Sequence, residues 1–191
     1  AGCSITATCD GRPIDTSMGF SPLEGLVMAT RSGDVDPGIL LYLQRVTGMT
    51  SAQLGTLLNE ESGLLGVSGV SGDLRRVLRS EEPAARLAVA LYCYRARKYV
   101  GAYLAALGGA DAILFGGGVG ENAAEIRARI LAGMGWAGID LDSDGNAATV
   151  GVEACVSSAR SRVAVWVIAV DEAAALAQAA AELVQETGRA P

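Results

Sequence analysis

The 191-residue sequence contains no histidine. That excludes an imidazole general base, any histidine-containing catalytic triad and histidine metal ligands together. Lysine is almost as scarce, since Lys98 is the only one and every other basic residue is arginine. A Walker phosphate loop needs Gly-Lys-Ser/Thr after its spaced glycines, and Lys98 is followed by Tyr99, so that motif is excluded too. The four cysteines, Cys3, Cys9, Cys93 and Cys155, form no CxxC pair. Thiolate zinc binding is therefore not expected, and free thiols of a reducing compartment are. No apolar run is long enough to cross a bilayer, so the expected location is cytoplasmic and no membrane partner is expected. Acidic residues outnumber basic ones by 21 to 15, a net charge of −6. A nucleic-acid surface needs a clustered basic face, so no nucleic-acid partner is expected either.

What is present is apolar and glycine-rich. Half of the residues are hydrophobic and 25 are glycine; mean hydropathy is +0.32. That mixture suits an α/β domain whose buried strands are covered by helices. The length fits one domain with a proper core.

The chain opens as a hairpin. Residues 3–9 are β-branched and alternating, Asp10-Gly11 is a turn dipeptide, and residues 12–17 return. Glycine, proline and Ser-Gly-Asp break up residues 18–36, which read mostly as loop with room for one short helical turn. Helices are predicted over 37–46 and 51–60, with Pro37 in a first turn and Thr50 as a cap. Residues 63–72 read as a loop. The longest helix is predicted over 82–107, with Leu87, Leu91, Tyr94, Gly101 and Leu104 on one face. A short strand, 112–115, then leads through the glycine run 116–120 into a helix whose face is Ala123, Ile126, Ile130 and Met134. Asn122 and Glu125 have the spacing of a capping box there. The pattern repeats at the end, with an apolar strand over 163–168 and a helix over 171–186 carrying Leu176, Ala179, Ala180 and Leu183 on one stripe.

The two strand–loop–helix units are where chemistry is expected. Ligands of open α/β sheets bind outside the carboxyl ends of parallel strands, beside helix N-termini. The run Gly116-Gly117-Gly118-Val119-Gly120-Glu121-Asn122 lies at one such end and Glu172 at the other. The run fails the dinucleotide fingerprint GxGxxG, since Glu121 and Ala123 stand where its last glycine is required. Two readings remain for the glycines: a close backbone approach to a ligand, or a tight strand-to-helix connection.

Residues 15–36, DTSMGFSPLEGLVMATRSGDVD, resemble the long signature segment of the acetate kinase family of short-chain carboxylate kinases. GVSGDLR, residues 69–75, and GGGVGEN, residues 116–122, resemble further segments of that family, the latter its adenine-side loop. The likeness runs from Gly2 to the final helix. It implies an actin-like and sugar-kinase-like, ribonuclease H-like α/β ATPase fold. Residues 1–191 would be its C-terminal nucleotide-binding and dimerisation lobe, a mixed sheet flanked by helices that lacks the first strand, with the N-terminal lobe absent.

The activity implied is transfer of phosphate from ATP to acetate, giving ADP and acetyl phosphate, with magnesium. Acetate or another short-chain carboxylate would bind with the missing lobe, the chain would form a homodimer, and alone it would be inactive. A propionate or butyrate kinase, or a non-catalytic nucleotide-binding or dimerisation module, are the alternatives.

The same resemblance assigns roles to residues. Arg31 would stabilise the phosphoryl group in flight, which suits a planar guanidinium; its simpler reading is a cap on the Ser-Gly-Asp turn. Asp73, Leu74 and Arg75 would hold ribose and pack on adenine, although Asp73 also fits a helix N-cap. Gly118 and Gly120 would lie against the adenine. Glu172 would be a carboxylate near the magnesium, or simply an acid at a helix start. Ala29 replaces a glycine usual in the family, and Val170 and Ala173 flank Glu172 where threonine and glutamate are common.

Overall fold

The computed structural model describes residues 2–187, for Glu172, Ala175, Ala179 and residues 185–187 without their side chains. The chain divides into two compact units, Ala1–Ala110 and Asp111–Pro191.

The first unit starts with the predicted hairpin, β1 (Thr6–Cys9) antiparallel to β2 (Arg12–Thr16). Asp10 and Gly11 both take positive φ, 50° and 73°, as a tight two-residue hairpin turn requires. Helices α1 (Pro37–Thr47) and α2 (Ser51–Glu60) form where expected. Asp36 caps α1 by accepting from the Gly38 N–H, and Thr50 with Gln53 makes a full capping box on α2. The expected loop over 63–72 is in part helical: α3 spans Gly63–Ser68. Gly63 starts it at φ 61°, where a Cβ would lie 2.4 Å from the Met28 carbonyl oxygen, so only glycine permits this entry. Helix α4 (Leu74–Leu78) follows, and the 25-residue α5 (Pro83–Leu107) stands where a helix was expected over 82–107.

The buried face of α5 differs from the predicted one. Ala85, Ala88, Val89, Tyr92, Cys93, Ala96, Val100 and Tyr103 are inside, whereas Leu87 and Tyr94 are exposed. The alanine-lined face lets α3 and α4 pack close, and closeness of packing outweighs side-chain size. Leu104 is buried as expected.

The second unit holds a three-stranded mixed sheet ordered β3 (Ala112–Phe115), β5 (Ala164–Val167), β4 (Ala154–Cys155). Strand β3 runs parallel to β5 and β4 antiparallel to it. Val165 and Val167 are completely buried on one face of the sheet. Helices α6 (Gly117–Asn122) and α7 (Ala124–Leu131) follow β3, and α7 buries Ile126 and Ile130 as predicted, with Met134 just beyond. The Asn122–Glu125 capping box does not form, because Asn122 turns its amide back to the Gly118 carbonyl inside α6. A 3₁₀ turn, Gly135–Ala137, and α8 (Ser143–Ala148) precede β4, and α9 (Glu172–Thr187) is the last element among the described residues. Leu176 and Leu183 of its expected stripe are exposed. Both tryptophans, Trp136 and Trp166, lie in this unit, and all five tyrosines lie in the first.

Candidate functional site

In the second unit the parallel register pairs Phe115 with Val167, so β3 and β5 end level with each other. The segments leaving them therefore start at one edge of the sheet, which is where open α/β sheets take ligands. The glycines there divide by function. Gly116 is extended, and a Cβ on it would lie 2.5 Å from the Val170 Cγ2, so it lets the two segments touch. Gly117 opens α6 at φ 70°. Gly120 lies against Phe115, where a Cβ would come within 3.0 Å of the strand's backbone. Gly118 is exposed, and a Cβ on it, as on Gly117, would meet nothing within 4 Å. Its bare backbone faces open space, the condition for a flat ligand to approach closely. The expected loop is thus mostly a helical turn, with open space beside Gly117 and Gly118.

Two polar residues that the sequence reading passed over hold this arrangement. Glu121 Oε1 accepts from the Gly117 N–H at 2.9 Å and from the Val170 N–H at 3.1 Å. Arg127 is completely buried. It donates to the Asn146 Oδ1, to the carbonyls of Gly120 and Asn146, and to those of Glu121 and Thr149. All five are neutral acceptors, and burial pushes the Arg127 pKa down. A carboxylate set among glycine N–H groups was the one sequence signal for Glu121. Arg127 gave none, because the apolar face was marked by Ala123, Ile126, Ile130 and Met134, and an arginine beside it reads as solvated. The backbone at the start of α9 stands at the same sheet edge, and the side chain of Glu172 lies outside the described residues. Among the described residues no three acidic, cysteine or histidine side chains cluster as metal ligands.

In the first unit Arg31 sits on a loop closed at its base by Gly25 and Asp34. The Asp34 N–H donates to the Gly25 carbonyl at 3.0 Å, and Asp34 Oδ1 accepts from the Gly25 N–H at 2.8 Å. A Cβ on Gly33, at φ 69°, would lie 2.6 Å from the Gly25 oxygen. Asp34 also binds Arg95 and the Tyr99 hydroxyl of α5, at 2.5 and 2.9 Å. Burial first, and then Asp34, pushes the Tyr99 pKa up to about 12. Arg31 itself is half-buried and donates through Nη1 to the Pro22 carbonyl at 3.2 Å and to the Met28 sulfur at 3.5 Å. It does not cap the Ser-Gly-Asp turn, which Gly25 and Asp34 close instead.

Asp73 does cap α4, accepting from the Arg75 N–H at 2.9 Å, and both its oxygens are held by the Arg75 guanidinium. That side-chain bond, seconded by the backbone one, lowers the Asp73 pKa to about 2. Arg75 is exposed, while Leu74 is buried in the core. Gly72 brings this segment beside the Arg31 loop, since a Cβ on it would touch the Ala29 oxygen at 3.0 Å. Arg31 and residues 73–75 thus belong to the first unit, and Gly118, Gly120 and the start of α9 to the second.

The pattern of the acetokinase family matches residues 1–178. The chain belongs to the acetokinase family. The acetate kinase of Solibacter usitatus is 53% identical over 175 residues, which are 90% of this chain and 42% of that protein. The crystal structure of Porphyromonas gingivalis acetate kinase superposes with a TM-score of 0.90 at 45% identity, covering 93% of this chain and 45% of the other. That of a propionate kinase from Francisella tularensis gives 0.83 at 40% identity, covering 90% and 44%. The fold is therefore that of an actin-like ATPase, as the signature segment implied, and the acetokinase chain spans less than half the length of these relatives.

Proposed function

We propose that this chain is the nucleotide-binding part of an ATP-dependent acetate kinase. The observation that carries the reading is the parallel β3–β5 pair, which brings the open Gly118 backbone and the start of α9 to one sheet edge in an acetokinase-family chain. A carboxylate oxygen of acetate attacks the γ-phosphorus in line, the bond from that phosphorus to the β–γ bridging oxygen breaks, and ADP leaves with the electron pair. Catalysis of this kind is positioning plus stabilisation of spread negative charge.

Arg31 is the residue proposed for that charge, its fork matching equatorial phosphoryl oxygens. Gly118 and Gly120 would border the adenine. Asp73 would accept from ribose hydroxyls, sharing its carboxylate with Arg75, whose exposed guanidinium offers a planar surface. Leu74 would support that segment from the core. Glu172 is the carboxylate proposed to stand near a magnesium ion, which would neutralise phosphate charge when bound with ATP. Similarity to the Francisella tularensis propionate kinase makes propionate the second candidate substrate.

A coupled assay with acetate, propionate and butyrate on the intact protein tests the reaction and ranks the substrates. Calorimetry with MgADP tests the nucleotide site, and Asp73→Ala is expected to weaken binding about tenfold through lost charged hydrogen bonds. Identical titrations for the two proteins remove Asp73 from the site. Nucleotide binding without turnover on any carboxylate favours the non-catalytic module.

A further inference from the structure

We propose that Glu121 is a positioning residue, whose side-chain oxygen fixes the spacing between the glycine segment after β3 and the segment after β5. This rests on the nucleotide-site reading above and adds to it a residue that touches neither nucleotide nor phosphate.

The parallel ladder between the strands ends where the Ile168 N–H donates to the Phe115 carbonyl at 2.9 Å. Beyond that point the segments turn away from each other's carbonyls, and backbone donors near a strand end need a partner from elsewhere. The next two, Gly117 N–H and Val170 N–H, both turn to one atom, Glu121 Oε1. The carboxylate thus serves as one further rung, supplied by a side chain. Its own backbone is anchored, because the Glu121 carbonyl accepts from the Gly151 N–H at 3.1 Å and from buried Arg127 at 3.2 Å. A fixed backbone makes the reach of the side chain decisive. Glutamate spans the gap from a helical turn back to its own first residue, and aspartate, one methylene shorter, does not.

The contact also has no slack. Gly116 already meets Val170 closely enough that a methyl group would collide. Glu121 therefore sets the position of Gly118 and Gly120 on one side and of the backbone two residues ahead of α9 on the other. The role needs a carbonyl-type acceptor at the right distance and not a charge, so glutamine fills it.

The test compares Glu121→Gln, Glu121→Asp and Glu121→Ala in the intact protein. Glu121→Gln is expected to keep the KM for ATP within about twofold, while the Asp and Ala variants raise it about tenfold for the two lost bonds. The KM for the carboxylate should not change in any of them. Amide hydrogen exchange at Gly117 and Val170 should quicken in the Asp and Ala variants and stay slow with glutamine. Should Glu121→Ala fail to fold, the Asp and Gln pair decides.

Equal KM values for ATP in all variants, or a glutamine variant as impaired as the aspartate one, overturn the proposal. A wild-type protein that neither binds ATP nor turns over overturns the nucleotide reading instead. The exchange pattern then still judges the rung, and unchanged exchange in Glu121→Asp removes it.

Discussion

Arg31 aims one nitrogen at two uncharged acceptors, the Pro22 carbonyl and the Met28 sulfur, and among the described residues it makes no ion pair. Its charge is thus not neutralised within the described chain, as suits a group that meets phosphoryl oxygens. Arg31→Ala in the intact protein is expected to lower kcat about a thousandfold or more, with the KM for ATP and the melting temperature nearly unchanged. Arg31→Lys should restore little, because a point charge does not reproduce the planar fork. A near-normal kcat in Arg31→Ala removes the role. Asp73 presents the opposite situation, a carboxylate already engaged by Arg75. Its folded pKa of about 2 lies below the ordinary carboxylate value. The capping contact is therefore complete above the unfolded pKa and is lost as pH falls through about 2. A carbon-detected titration of Asp73 should show this. Arg75→Ala should return the midpoint toward the ordinary range, and an unmoved midpoint disproves the cause given.

Helices α6, α7 and α8 are tied by a single side chain, Arg127, whose donors satisfy carbonyls from the end of α6 and from both ends of the Asn146–Thr149 stretch. Arg127→Ala leaves several buried carbonyls unpaired and is expected to cost about 3–5 kcal/mol, a loss of the size seen when buried polar networks break. Urea unfolding followed by circular dichroism measures it, and an unchanged midpoint means that water replaces the guanidinium. Sequence periodicity found α7, because Ile126 and Ile130 stand out against polar neighbours. It was silent about Arg127, since a buried arginine has the same composition as a solvated one. On α5 it selected Leu87 and Tyr94, the larger residues, over the alanine stripe that packs inside. The glycine-started helices α3 and α6 read as loops, because their first residues need positive φ that only the folded surroundings explain. The bridge that Glu121 makes between the segments after β3 and β5 was likewise invisible, as it depends on the two strands ending level.

At the scale of the molecule, residues 15–36 were enough to identify the family, because many non-degenerate positions agree over one stretch. The two strands were legible as short apolar runs, each followed by a helix, whereas their parallel pairing was a condition that the structure supplies. Residues 135–162 gave no periodic signal, and the structure explains why: a 3₁₀ turn, a six-residue helix and a two-residue strand are each too short to repeat a pattern. The aromatic residues carry a consequence of a practical kind. Indole rings occur only in the second unit and phenol rings only in the first. Tryptophan emission accordingly reports from residues 111–191, and tyrosine absorbance from residues 1–110. A denaturant titration recorded at both signals assigns each transition to a half of the chain with no label attached.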